Sequence, residues 1–397
     1  MKHGNMSQTK TKYAFMTTVD ASMTWFMIPA AERMDSEEFD ITLMCHMTDE
    51  FYEKHSATYH CERLDLERGF HLGKTVAGIF HLYRKFRAEK YDVIDYATEN
   101  VSLCASIAGW LARVPVRVYN HWGARYVGYT GATRFVSKMI ERIAALFSTD
   151  VRQVSPKNME MCVSDRIYPA KKVKVLGYGG TVGVDCEKFD LSRKEEYRRE
   201  VREALGIREN AFVFGFIGRI QMDKGVNELF AAFRHIAEED SSAVLLMLGQ
   251  MEDESTIETE LLDFAKSSEQ VIFTGRVSDV YRYVSAFDVM VHPSYREGFG
   301  MVLQEAGAMK TPIITTDILG PSEFITNGEN GVLVPPKDAV SLESAMRNLK
   351  EDASLRDQYA QSVYEHTVNN FERSVMVDRM ILDRRELLEK RTAKKRK

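Results

Sequence analysis

The sequence predicts an α/β protein built from two doubly wound, Rossmann-like domains facing each other across a cleft. Three observations lead there. Short β-branched and aromatic runs alternate with longer helical patterns, the signature of parallel strands joined by crossover helices. At 397 residues the chain exceeds one ordinary hydrophobic core, so two domains are expected. The glycine-bearing segment Gly177 to Asp190, followed by the charged run Ser192 to Glu200, splits the alternation into two halves of similar rhythm.

In the first half, strands are expected at Tyr13–Thr18, Ile41–Cys45, Val93–Tyr96, Val116–Tyr119, Arg152–Val154 and Val173–Leu176. Helices lie between them at Val76–Arg87, Ser102–Arg113 and Thr133–Leu146, and Ser155-Pro156 reads as a helix cap with proline at the first helical position. The second half repeats the pattern. Its strands fall at Phe212–Ile217, Ala243–Leu248, Val271–Thr274, Val289–His292, Ile313–Thr315 and Val332–Val334. Its helices fall at Val226–Glu239, Glu258–Lys266, Val280–Phe287 and Met301–Ala308. After Pro335-Pro336 three helical stretches close the chain, the last starting near Val375 and expected to return to the first domain. The domain ranges are then 1–185, 186–374, and 375–397 for the final helix and basic tail. Tandem domains of this kind hold a ligand at the carboxyl ends of their strands.

Composition narrows the function. With 44% hydrophobic and 28% charged residues this is a globular composition. A net charge of −5 argues against a nucleic-acid binder. Five scattered cysteines fit a reducing cytoplasm better than a disulfide scaffold or a zinc site. The polar stretch Met1 to Lys12 does not read as a signal peptide, and Val101 to Leu111 is too short to span a membrane. Basic clusters at Tyr83-Arg84-Lys85-Phe86-Arg87 and Lys390 to Lys397 would matter for a substrate held at an anionic membrane.

The most informative segment runs from Tyr295 to Glu305. Glu297 and Glu305 bracket the turn Gly298-Phe299-Gly300, which opens into an apolar helix beginning Met301-Val302. Glycines let backbone amides approach a ligand, and a helix start offers unpaired N–H groups to an anion. Glu305 lies ~7 Å along the helix axis, where a carboxylate can accept from hydroxyls. Amides for a phosphate and carboxylates for hydroxyls describe a sugar-nucleotide site. The plainer reading makes Glu297 a partner of the helix dipole and Glu305 a solvated residue.

A second handle follows the first strand of the second half. Gly218, Arg219, Lys224 and Gly225 lie on one strand-to-helix loop. Two cations there can straddle a diphosphate, arginine through its planar fork and lysine as a point charge.

Together, Gly218-Arg219, Lys224-Gly225, His292-Pro293-Ser294, Glu297-Gly298-Phe299-Gly300, Glu305-Ala306 and Pro312 resemble the retaining glycosyltransferases of family 4, over nearly all of the chain. Gly177-Tyr178-Gly179-Gly180 through Asp185 to Phe189 is similar to that family's entry into its second domain. Val114 through His121 to Gly123 is similar to its first-domain strand ending in histidine. The narrower likeness is to bacterial capsule, exopolysaccharide and N-glycan assembly transferases. The resemblance implies the glycosyltransferase B architecture, with an acceptor-side first domain and a nucleotide-sugar-binding second domain. It implies transfer of a hexose or N-acetylhexosamine from a nucleotide sugar, UDP favoured, to a glycan carried on a polyprenyl diphosphate. The enzyme would work in the cytoplasm, peripherally on the inner face of the membrane.

By the same resemblance, Arg219 and Lys224 grip the donor diphosphate and Glu305 binds the ribose. Glu297 contacts the transferred sugar, and amides around Gly300, Met301 and Val302 meet the phosphate or sugar. Arg276 and Val277 lie beside the nucleobase, and His121 reaches the sugar from the other domain. Lys310 stands where this family often has glycine, and Val19 to Met23 lacks paired glycines after the first strand. No Asp-x-Asp pair follows a strand here, so a fixed cation pair is expected in place of a metal, with no cofactor.

Three alternatives stay open. A glycoside hydrolase would use the glutamates as acid and nucleophile but leaves Arg219 and Lys224 unexplained. A sugar-nucleotide epimerase of the same plan would need no acceptor. A non-catalytic partner subunit would have no use for the intact Arg219, Lys224 and glutamate set.

Overall fold

The computed structural model describes residues 10–66 and 72–395. The opening of the chain up to residue 9, and Arg396 and Lys397 of the basic tail, lie outside the described residues. The chain forms two compact units, Met1–Val182 with Met376–Lys397, and Gly183–Val375.

The first unit holds a seven-stranded sheet. Its strands are β1 (Thr11–Val19), β2 (Phe39–His46), β3 (His60–Arg63), β4 (Val93–Tyr96), β5 (Val116–His121), β6 (Asp150–Gln153) and β7 (Val173–Val175). They pair in the order β3-β2-β1-β4-β5-β6-β7, all parallel. Helices cover both faces, so β1 buries Tyr13, Ala14, Phe15 and Met16 completely and reads as a continuous apolar run. The second unit holds six parallel strands: β8 (Phe212–Ile217), β9 (Ala243–Leu248), β10 (Val271–Gly275), β11 (Val289–His292), β12 (Ile313–Thr316) and β13 (Val332–Val334). Their order is β10-β9-β8-β11-β12-β13. The helix Val226–Glu239 buries Leu229, Phe230, Phe233 and Ile236 in a core with Phe214, Phe216, Leu245 and Met247.

Three local features depart from the sequence reading. β3 is an edge strand of His60-Cys61-Glu62-Arg63, whose polar side chains gave no strand signal. The chain leaves β1 directly into the helix Asp20–Phe26, followed by Ile28–Arg33. Asp20 accepts from the Thr48 amide and hydroxyl at 3.0 and 2.8 Å, which fixes the start of that helix. The charged run after Ser192 is a docked helix, Lys194–Ala204, and not a spacer. Arg202 is buried at 4% exposure, donating to Asp288 at 2.8 Å and to the carbonyls of Ala211 and Ala286.

The final helix, Arg373–Lys395, joins the first unit from Met376 onward. It is held by buried charges. Arg384, 1% exposed, donates to Asp95 at 2.8 Å and to the Asn120 side-chain oxygen at 2.9 Å. Asp95 also accepts from Tyr13 at 2.5 Å. Beside them Arg152 on β6 grips Asp383 through both carboxylate oxygens at 2.8 and 2.9 Å. Each buried charge has its partner, the condition under which such a network is tolerated.

Candidate active site

The second sheet changes direction between β8 and β11, so the loops leaving these adjacent strands emerge side by side at their carboxyl ends. They are sewn together. The Tyr295 amide donates to the Asp223 carbonyl at 2.9 Å, and Arg296 pairs with Asp223 at 3.2 Å. Gly225, at φ +71°, lies so close to Pro293 that an added Cβ would fall 2.0 Å from its carbonyl oxygen. Only glycine permits this contact. The loop carrying Arg219 and Lys224 is thus fixed against the loop carrying Glu297.

The result is a three-group cluster. The Lys224 ammonium lies 2.5 Å from Glu297 Oε1, and His292 Nε2 donates to the same oxygen at 2.9 Å. The side chains of Lys224 and Glu297 are 15% and 16% exposed. Burial works to raise the Glu297 pKa, but the Lys224 and His292 contacts outweigh it and hold the carboxyl well below its usual range. His292, at the end of β11, is 1% exposed and its ring stacks over Phe216. Its bond to Glu297 has no signal in the sequence, where a histidine at the end of an apolar strand reads equally well as core packing.

Arg219 does not join this cluster. It pairs with Glu252 at 2.9 Å, both side chains about half exposed. Gly218 just precedes it at the end of β8. Phe299, 3% exposed, packs against Phe324 and Phe371 and anchors the turn from Gly298 to Gly300. Gly300, at φ +89°, enters the helix Met301–Ala308, whose N-terminus has no side-chain cap. Among the described residues no side-chain hydrogen bond caps the first amides of that helix, at Met301 and Val302.

Glu305, one turn further on, is half-buried. Burial pushes its pKa up to about 7, with Arg373 and Lys188 pulling partly back. Neighbouring Gln304 is 1% exposed, and neither its amide nitrogen nor its oxygen has a hydrogen-bond partner among the described residues. Arg276 is exposed and Val277 half-buried just beyond β10. Lys310 adopts φ +49°, and its carbonyl accepts from Lys194 at 3.0 Å.

His121 belongs to the first unit, at the end of β5. It is 2% exposed, its Nε2 3.2 Å from Glu141 and its Nδ1 3.2 Å from the Tyr168 hydroxyl and 3.0 Å from Gln153. Burial opposes its charge, yet Glu141 and Cys162 raise its pKa to about 10. At the switch point of that sheet, between β1 and β4, Thr98 holds φ +69° and bonds Thr18 through its hydroxyl at 2.7 Å. A threonine in this conformation is strained, and nothing in its sequence context announces it. Among the described residues no group of three or more His, Cys, Asp or Glu is placed to hold a metal ion.

Two family models match: Glycosyl transferase 4-like over residues 15–155 and Glycosyl transferases group 1 over residues 197–366. This chain belongs to the glycosyltransferases that these models describe. The second model covers every residue of the Lys224, His292 and Glu297 cluster. The capsular polysaccharide biosynthesis glycosyltransferase CapM of Staphylococcus aureus is 28% identical over 79% of this chain and 81% of its own length. The Escherichia coli UDP-Gal:alpha-D-GlcNAc-diphosphoundecaprenol alpha-1,3-galactosyltransferase is 25% identical over 82% of this chain and 83% of its own. The crystal structure of Anabaena Alr3699/HepE in complex with UDP shares the fold, with a TM-score of 0.78 at 18% identity over 95% of this chain and all of that one. The glycosyltransferase B plan of two Rossmann-like domains is therefore that of this enzyme.

Proposed function

We propose that this enzyme is a retaining, metal-independent transferase that moves a hexose or N-acetylhexosamine from a UDP-sugar to a glycan on a polyprenyl diphosphate, in assembly of a surface polysaccharide. The observation that carries this reading is the Lys224, Glu297 and His292 cluster beside an uncapped helix start. It offers a cation and free amides to a phosphate, and a carboxylate to hydroxyls. The named activity of the Escherichia coli relative supports the donor and acceptor classes.

As the anomeric C–O bond breaks, negative charge grows on the β-phosphate. Lys224 and the amides of Met301 and Val302 stabilise that charge more as it develops, which lowers the barrier. Arg219 supplies a second cation by exchanging Glu252 for the diphosphate. Glu297, fixed by His292, accepts from a hydroxyl of the transferred sugar, and Glu305 accepts from the ribose. Arg276 and Val277 flank the base, and His121 serves the sugar. With the cation pair in place of a metal, the acceptor hydroxyl attacks from the face the nucleotide leaves and gives its proton to the departing phosphate. The enzyme acts at the cytoplasmic face of the membrane.

The test is nucleotide release from a panel of sugar nucleotides, with and without polyprenyl-diphosphate sugars, in the presence and absence of EDTA. Acceptor-dependent UDP release, unaffected by chelation, with an axial or equatorial bond matching the donor, is expected. Release without acceptor would replace this reading with an epimerase or hydrolase, and inversion would remove the front-face mechanism.

A further inference from the structure

Lys224 and His292 both reach Glu297, and both reach the same oxygen. The ammonium lies 2.5 Å and the imidazole Nε2 2.9 Å from Oε1. Among the described residues Oε2 takes no hydrogen bond, and it is not one of the polar atoms sealed from solvent without a partner. An ionised carboxylate offers about four acceptor sites on its two oxygens. Here the protein occupies one oxygen and leaves the other.

The two donors differ in what they can specify. An ammonium is a point charge on a flexible stem with rotatable donors, so Lys224 attracts the carboxylate without choosing between its oxygens. An imidazole N–H points one way. The His292 ring is 1% exposed and stacks on Phe216, with centroids 6.2 Å apart and planes inclined by 23°. Its backbone is fixed in β11, where the His292 carbonyl accepts from the Thr315 hydroxyl at 2.8 Å. Its Nδ1 is buried and has no hydrogen-bond partner among the described residues. A hydrogen there would be a buried donor without an acceptor, so the ring carries its hydrogen on Nε2, facing Glu297.

We infer that His292 is a positioning residue that sets donor specificity: by anchoring Oε1 it turns Oε2 alone to the transferred sugar. An ionised oxygen accepts and cannot donate. The site therefore takes a sugar with a free hydroxyl at that place. It rejects one deoxygenated or O-methylated there, because the carboxylate would lose water and gain no partner. The contact of Glu297 with the sugar belongs to the proposed function; the choice of oxygen, and the side chain that makes it, rest on that reading and extend it.

The test compares the UDP-hexose selected by the nucleotide-release panel with its monodeoxy analogues, in wild type, His292→Gln and His292→Leu. Wild type should lose about 10²-fold in kcat/KM on one analogue. Glutamine still offers an N–H toward Glu297 and should keep that discrimination. Leucine fills the space beside Phe216 but donates nothing, and discrimination should drop to about tenfold or less, whatever its rate with the parent donor. Melting curves check the fold of each variant. Selective isotopic labelling of histidine gives a reading independent of turnover: NMR should show the His292 hydrogen on Nε2 and a bare Nδ1. Undiminished discrimination in the leucine variant, its loss in the glutamine variant, no analogue rejected by wild type, or a hydrogen on Nδ1 would overturn the assignment. Absence of UDP release from every donor would instead strike the proposed function, and the NMR would still decide the tautomer.

Discussion

Lys224 and Glu297, 73 residues apart in sequence, meet at 2.5 Å at the head of an uncapped helix. The pair joins the two segments that a sequence reader picks out separately, and His292 completes it from below. A buried carboxylate with two cationic or donor partners is fixed in place, and fixed groups lose little on meeting a substrate.

Replacing Lys224 with Ala removes the cation nearest the departing phosphate and leaves Glu297 with His292 alone. We expect kcat to fall about 10²–10³-fold, with kcat/KM falling as much or more. Steady-state kinetics with varied donor will show it. A change confined to KM would mean that Lys224 binds ground state and transition state equally.

Glu305 should make both donor affinity and stability depend on pH. Its folded pKa is raised, from 4.5 to about 7. Between those values the folded state keeps a proton that the unfolded chain has released, so stability falls as pH rises through the window. Glu305→Gln should therefore be the more stable form at pH 8, by about 3 kcal/mol, and should equal wild type near pH 4. Nucleotide affinity should move the other way in wild type, rising as the carboxylate forms, and should be flat in the glutamine variant. Melting curves and UDP titrations across the window decide both.

His121→Asn strands Glu141 in the interior of the first unit and should cost about 3–5 kcal/mol. The double variant with Glu141→Gln should regain most of it. The raised histidine pKa means that the pair's contribution is complete below about 6.5 and is lost as pH climbs toward about 10. Urea unfolding between pH 6 and 10 should show this decline in wild type and not in the double variant.

Arg384→Met leaves Asp95 without its guanidinium partner, and a similar penalty of about 3–5 kcal/mol is expected. Adding Asp95→Asn removes the uncompensated charge and should restore part of the loss. A double-mutant cycle by chemical denaturation measures the coupling.

Much of this was legible from residue patterns. The strands of the second sheet lie where apolar runs such as Phe212 to Ile217 and Ala243 to Leu248 place them, because strands buried on both faces have no polar positions to obscure them. Ser155 does accept from the Asn158 amide as a cap should. The loops bearing Lys224 and Glu297 meet because the sheet reverses order there, a consequence of fold alone. What escaped was polar and local. β3 is four residues at an edge, too short and too charged to show a period. His292 precedes a proline at a strand end, where a buried histidine and a ligand of Glu297 have the same sequence signature. The bond between Arg384 and Asp95 spans 289 residues, and no spacing rule reaches that far. The spacing of Leu72, Val76 and Phe80 cannot tell a buried stripe from an exposed one; only folding shows that it faces outward.

The distance along the chain between Asp95 and Arg384 has a meaning during synthesis. At ~5–20 residues per second, a ribosome needs roughly 15–60 seconds to make the intervening stretch. Through that interval the nascent amino-terminal sheet carries a carboxylate whose permanent counter-ion does not yet exist, while the segment 183–375 is made and completed before Arg384 appears. The half that is translated first is thus the half that finishes last.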